Sequence, residues 1–393
     1  MLVSELNKLS EEELISLIKK DERVYFFLDK KNITEKINIA VIEQKPSLIE
    51  YFKNPSEKVQ LTAVEEYGCL IQYIKNPSER VQLEAVKENR YAIKYIKNPS
   101  EKIQLKVVKS GGDVIQDIKN PSEKVQIEAV KQSGYALKYI KNPSEKVQLE
   151  AVSRAGYAIK YIKNPSEKVQ LEAVKKDGYS IRFIKNPSEK VQLEAVKSNG
   201  HIIQYIKNPS EKVQLEAVNS GEYSILKEIK NPTEKVLRKA IKKSVYSLIH
   251  LKNPSEKVQL EAVKSDGDAL QYIKNPSEKV QLAAVKQNGG SIVHIKNPSE
   301  KVQLEAVKQN GLSIRFIKNP SEQVQLVAVK SNGYALQYIK NPSEKVQTLA
   351  IKHDIEVSKS ILLPTEKVKK LILQDENFIL DDKPNSVEYI ENI

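Results

Sequence analysis

Side chains able to make or break bonds are scarce in this sequence. The one cysteine, Cys69, has no second thiol to pair with, and the four histidines stand at no spacing that would hold a metal ion. No nucleophile is placed with a histidine as a catalytic group would require, no two carboxylates are set as an acid–base pair, and tryptophan is absent. Asp113, Asp117 and Asp268, which stand where other parts of the chain carry tyrosine, are the only carboxylates worth inspecting for catalysis. The expectation is a protein that is not an enzyme, takes no cofactor or small-molecule substrate, and binds no metal.

The informative side chains recur instead at fixed intervals. One site carries Gln72, Lys94, Gln116, Lys138, Lys160, Arg182 and Gln204, and later Gln271, Arg315 and Gln337, none of them acidic. The next residue in each case is usually aromatic, as in Tyr73, Tyr95, Tyr139, Tyr161, Phe183, Tyr205, Tyr272, Phe316 and Tyr338, with Asp117, His250 and His294 as exceptions. Rings interleaved with cations can grip the acidic surface of a protein, or can stack on and neutralise a single-stranded nucleic acid. The same rings can also pack between neighbouring helices with their hydroxyls wet. A second candidate lies mid-chain, where Lys235, Arg238, Lys239, Lys242 and Lys243 fall at helical spacings of three and four. They place five positive charges within roughly 140° of one helix face.

What positions these side chains is a repeat. Asn-Pro pairs begin at Asn54, Asn76, Asn98, Asn120, Asn142, Asn164, Asn186, Asn208, Asn231, Asn253, Asn275, Asn297, Asn319 and Asn341, almost all 22 residues apart. Weaker copies at Ser10, Asn32 and Leu363 bring the total to about seventeen. In the copy from Asn142, Asn142 is expected to cap a helix, with Pro143 in its first turn and Glu145 bonding back to the cap. Val147, Leu149, Ala151 and Val152 span an apolar arc of roughly 200° on that helix. Gly156 is expected to end it in a left-handed conformation, and Tyr157–Ile162 to form a second helix of under two turns. Gln148 and its counterparts fall inside the apolar arc, which predicts amides bonded to the neighbouring repeat's backbone. Helices this short are unstable alone, so each must draw its stability from its neighbours.

The first-helix pattern cap-Glu-x-Val-Gln-x-x-Ala-Val, followed by a short second helix, resembles HEAT-like α-solenoids over about residues 10–373. Its wording is also similar to short-helix repeat domains of uncharacterised function. The resemblance implies an all-α fold, a single continuous right-handed solenoid of about seventeen two-helix repeats, and an extended surface that holds partners. It carries over no catalytic residue. At roughly 10 Å per repeat the expected rod is on the order of 150 Å along its arc, which favours a large partner.

The expected organisation is a degenerate N-terminal cap over 1–53, regular arrays over 54–218 and 253–362, irregular repeats with a kink over 219–252, and a C-terminal cap with an acidic tail over 363–393. The repeat from Asn208 has 23 residues and reads Gly221-Glu222 where others end in one glycine. The tail carries Asp375, Glu376, Asp381, Asp382, Glu388 and Glu391 against Lys383. Of 393 residues 29% are charged, and 64 Lys and Arg against 51 Asp and Glu give a net charge of +13. A consensus repeat carries three lysines and two glutamates, so the excess is a sum over repeats and does not by itself define a groove. A mean hydropathy of −0.48 and no long apolar run argue against a membrane protein. No secretion signal is readable at the start, which points to the cytoplasm. The expected function is that of a monomeric interaction protein whose basic and aromatic surface binds a large protein or ribonucleoprotein. Near-identical repeats suggest recent duplication and an inhibitor in conflict between host and mobile element. The alternative is direct RNA or DNA binding along the basic inner face.

Overall fold

A computed structural model describes residues 3–361 and 364–374. It is an all-helical solenoid of about seventeen regularly repeated helix pairs, with no strand among the described residues. The acidic segment from Asp375 to Ile393 lies outside the described residues. The rest falls into two compact blocks, one ending at Ser198 and the other beginning at Asn199. Within each block the first helices pack on the first helices of adjacent repeats and the second on the second, which makes two parallel rows. No helix among the described residues is long and apolar enough to cross a membrane.

The repeat from Asn142 shows how the sequence builds this. Its first element is a ten-residue α-helix, Glu145–Arg154, and its second a 3₁₀ helix, Gly156–Tyr161. Val147, Ala151 and Val152 are fully buried, as their periodicity requires, and each such valine contributes about 1.5–3 kcal/mol by burial. Six residues of 3₁₀ helix make two turns, and side chains three apart lie in line. Gly156 and Ile159 therefore point inward together, while Tyr157 and Lys160 point outward together.

The structure shifts the start of the first helix by two residues. The cap is Ser144, not Asn142; Asn142 instead takes a left-handed backbone at φ 47°, a conformation asparagine tolerates. Ser144 Oγ accepts from the Val147 N–H at 3.4 Å and also donates to Glu123 of the preceding repeat. Glu145 accepts in the same way from Ser166 of the following repeat, at 2.5 Å. Glu145 thus links repeats instead of closing its own capping box, a motif that does form at Ser10 with Glu13. A lysine often joins the link, as Lys36 does to Glu11 at 2.9 Å and Lys279 to Glu256 at 3.0 Å. The recurring Ser-Glu-Lys is in this way a chain of staples along one edge of each block.

Two other expectations are corrected. The Gln148 amide donates to the Pro143 carbonyl of its own repeat at 2.9 Å, and not to a neighbour. The bond repeats wherever this glutamine is present, and fixes the turn that leads into each first helix. Gly156 is not left-handed; no glycine among the described residues has positive φ. A Cβ there would stand 2.6 Å from Ser180 Oγ and 2.7 Å from the Ala173 carbonyl oxygen of the next repeat. Glycine is needed for close approach between repeats, not for a left-handed corner.

The irregularity expected over 219–252 is visible as two residues, Gly221 and Glu222, between the helix Glu211–Ser220 and a shortened 3₁₀ helix, Tyr223–Lys227. At Glu88, Gln287 and Gln309 the last residue of a first helix holds the preceding repeat's corner by accepting from its glycine N–H, as Gln287 does from Gly267 at 2.7 Å. Here that position is Lys243, and the polarity is reversed. Its ammonium donates to the carbonyls of Val218, Asn219 and Gly221 at 2.9, 2.5 and 2.6 Å. Lys243 thus satisfies carbonyls at the end of the preceding first helix, which have no partner further along that helix.

Candidate partner-binding surfaces

In the block ending at Ser198, the outward line of each second helix is set by the three-residue spacing. It carries Tyr91 with Lys94, Tyr135 with Lys138, Tyr157 with Lys160, and Tyr179 with Arg182. The next residue, Tyr95, Tyr139, Tyr161 or Phe183, lies along the margin. Tyr161 is 38% and Phe183 43% exposed, and Tyr139 is half-buried. Tyr157 meets Phe183 edge to face at 5.5 Å, which couples one repeat to the next. The packing foreseen for these rings is thus present, and part of the ring surface also faces solvent.

The cations on this row lie over their own aromatic neighbours. Lys94 is 4.7 Å from the Tyr95 ring centre, Lys138 4.4 Å from Tyr139, and Lys160 4.9 Å from Tyr161. In the other block Arg315 lies 4.5 Å over Phe316. Each ammonium or guanidinium is held extended over an apolar surface that attracts it. A bond to the Tyr95 hydroxyl holds the Lys94 ammonium above the usual lysine range, and Tyr139 does the same for Lys138. Lys94, Lys138, Lys160 and Arg315 make no ion pair among the described residues, nor do Lys97, Lys119, Lys141 and Lys163, which follow the second helices.

The mid-chain basic cluster is differently placed. Lys235, Arg238, Lys239, Lys242 and Lys243 all belong to the first helix Glu234–Lys243, in the other row. Lys235 pairs with Glu211 at 3.0 Å, and Arg238 and Lys242 share Glu261 at 2.8 and 3.1 Å. The Arg238 guanidinium bonded to Glu261 holds that carboxyl below the usual carboxylate range. Lys243 is turned to the backbone of the preceding repeat, so Lys239 alone of the five has neither an ion pair nor a backbone partner among the described residues. An open depression of about 620 Å³ borders four of them and is lined as well by Glu211 and Glu234. The five charges share a helix, as their spacing requires, but not a free cationic surface.

The three carboxylates that replace tyrosine have neighbours of their own kind. Asp113 accepts from the Tyr91 hydroxyl at 3.2 Å and lies 3.7 Å from Arg90. Asp268 accepts from Ser291 at 2.7 Å and from Asn288, with His294 at 3.8 Å. Asp117 ends its 3₁₀ helix half-buried. Among the described residues no three of His, Cys, Asp and Glu are grouped as ligands for a metal ion.

The site of Lys160 has two aliphatic members that the sequence reading passed over. Ile249 and Val293 occupy it and are 51% and 52% exposed. The departure is readable in the sequence as an aliphatic residue where other repeats place Lys, Arg or Gln.

No protein-family model, curated protein or solved structure matches the chain. What defines it is the helical repeat with its 22-residue period.

Proposed function

We propose that the chain is a non-enzymatic interaction protein whose second-helix row holds a large partner with an acidic surface, a protein or ribonucleoprotein. One observation carries the reading: in several repeats the excess positive charge falls on that row, the repeat from Asn98 and the helix Glu234–Lys243 being exceptions. In the repeat from Asn142, Glu145 and Glu150 balance Lys146 and Arg154 on the first helix, whereas Lys160 and Lys163 on the second-helix side face no carboxylate. The same division recurs from Asn164, where Glu167, Glu172 and Asp177 balance Lys168, Lys175 and Lys176 in number, and Lys185 remains. Charge of one sign, braced on aromatic rings and recurring along a solenoid, suits an extended acidic surface better than a small ligand. The likeness of the two-helix unit to HEAT-like arrays agrees with a partner-holding role. Direct RNA or DNA binding along the same row is the alternative, but cations already lie over the Tyr95, Tyr139 and Tyr161 ring faces, where bases would stack.

The test is affinity capture from the native cell with the full chain and with a Lys94→Gln, Lys138→Gln, Lys160→Gln variant, each with and without nuclease. Proteins held by the unaltered chain after nuclease and lost with the variant are the expected result. Partners lost on nuclease alone select the nucleic-acid reading. Identical captures by both chains would remove the second-helix row from the proposal.

A further inference from the structure

The second-helix row is not uniform, and exposed apolar side chains gather at one of its departures. In the block beginning at Asn199, the 3₁₀ helix Val245–His250 carries Tyr246 and Ile249 on its outward line, 56% and 51% exposed. In the repeat before it, Tyr223 stands at the start of the shortened 3₁₀ helix, 47% exposed, where most other repeats have a buried glycine. Tyr223 meets Tyr246 at 6.4 Å, and Tyr246 meets Tyr272 at 6.1 Å, both edge to face. His250 stacks on Tyr223 at 6.0 Å with its plane 8° away. Burial, and then Lys227, keep this imidazole below the usual histidine range, so the stack is uncharged near neutral pH.

We infer that Tyr223, Tyr246 and Ile249 form a docking site for a protein segment that presents apolar side chains flanked by carboxylates. The inference rests on reading the chain as an interaction protein and names the chemistry of one contact. Aromatic and aliphatic anchors inside a polar rim are the composition of a binding hot spot. The segments around these anchors carry exposed Glu222 and an Asp268 already bonded to Ser291 and Asn288, and three lysines. Lys227, Lys252 and Lys274 are exposed and make no ion pair among the described residues. Lys252 lies two residues beyond the end of the 3₁₀ helix that carries Tyr246 and Ile249. An aliphatic side chain offers a nucleobase neither a stacking face nor a hydrogen bond, and one face of Tyr223 is already covered by His250. A second copy of the chain would bring the two sets of three lysines together, which opposes self-association through this face.

The experiment selects displayed random peptides on the full chain and titrates the enriched, synthesised peptides against three variants. These are Ile249→Lys, Ile249→Gln and the triple Lys94→Gln, Lys138→Gln, Lys160→Gln. Since Ile249 is half exposed, and glutamine is the residue at the same site in Gln271, neither substitution should disturb folding; a melting curve confirms this. The expected peptides have an apolar centre bounded by Asp or Glu, bind at least tenfold more weakly to Ile249→Lys, and are weakened by Ile249→Gln. They bind the triple variant within twofold of the unaltered chain. Peptides without that pattern, or equal binding to Ile249→Lys, would overturn the inference. So would poly-uridine RNA binding that is lost in Ile249→Gln, or a dimer in sedimentation that Ile249→Lys dissolves. Loss of an acidic probe in the triple variant, with no effect at Ile249, would leave the wider reading standing while removing this site.

Discussion

Gly311→Ala tests how the repeats fit together. An ideal Cβ on Gly311 would stand 2.5 Å from the Ala328 carbonyl oxygen and 2.9 Å from Asn332. Ordinary contact begins near 3.4 Å, so the facing helix Glu322–Ser331 must withdraw by about 0.9 Å or the 3₁₀ helix must tilt. Overpacking of this kind costs about 1–3 kcal/mol, against a gain of about 0.4–1 kcal/mol from the alanine's less flexible unfolded chain. The net expectation is a loss of about 1–2 kcal/mol. Two controls lie in the same block. A Cβ on Gly333 meets Val357 at 3.3 Å and Ala350 O at 3.4 Å, and one on Gly290 meets only the Asn288 side chain, from 3.2 Å. Gly333→Ala should therefore be close to neutral, and Gly290→Ala neutral to slightly stabilising. Repeat arrays need not unfold in one step, so the assay is amide hydrogen exchange across the helices Glu300–Gln309 and Glu322–Ser331. Gly311→Ala should weaken protection there while the other two preserve it. Equal losses at the two corner glycines, Gly311 and Gly333, as a left-handed corner would give, or no loss at Gly311, would refute close approach as the reason for glycine.

Lys243→Met removes the donor that serves Val218, Asn219 and Gly221. It should cost about 1–3 kcal/mol in denaturant melts, with exchange quickened at the end of the helix Glu211–Ser220. Lys239→Met on the same helix should stay within about 0.5 kcal/mol of the native chain. The staples predict an acid response. Thr34 and then Lys36 hold the Glu11 carboxyl below its usual range, Thr233 and Lys235 do so for Glu211, and Lys279 and Ser277 for Glu256. Their contribution is complete above the ordinary glutamate value and is lost as the pH falls through the depressed folded values. Melting temperature should fall with acid, and the part due to Glu256 should vanish in Glu256→Gln; an unchanged pH profile in that variant would show that the staple is idle.

The period, the two-helix repeat and the buried Val147, Ala151 and Val152 were all legible because each follows from local pattern. The helix start was misplaced because Asn142 and Ser144 are both good caps, and only the left-handed backbone at Asn142 separates them. Glu145 looked like half of a capping box because that reading needs only its own repeat, whereas its partner is Ser166 in the next. Gly156 shows the same limit: its Cβ space is filled by Ala173 and Ser180, which no local rule connects to it. For the candidate surfaces, the outward rows of Lys and Tyr followed from spacing. The pairing of the Arg238 cluster with Glu211 and Glu261 did not, since both glutamates come from other repeats. Ile249 and Val293 were readable as departures from the repeat, but their exposure gives them meaning only once the second helix is seen to be 3₁₀.

The proposed role depends on where the positive charge lies and not on its total. It is tested most directly by two variants of equal net charge in the block ending at Ser198, Lys94→Gln, Lys138→Gln, Lys160→Gln against Lys124→Gln, Lys146→Gln, Lys168→Gln. Each is titrated with poly-glutamate over a range of salt. The expected result is that the first set, on the second-helix row, weakens binding at least tenfold and flattens the salt dependence, while the second set, on the first-helix row, stays within about twofold. Equal weakening by both sets would show that only the total charge matters and would contradict the assignment of the partner to the second-helix row.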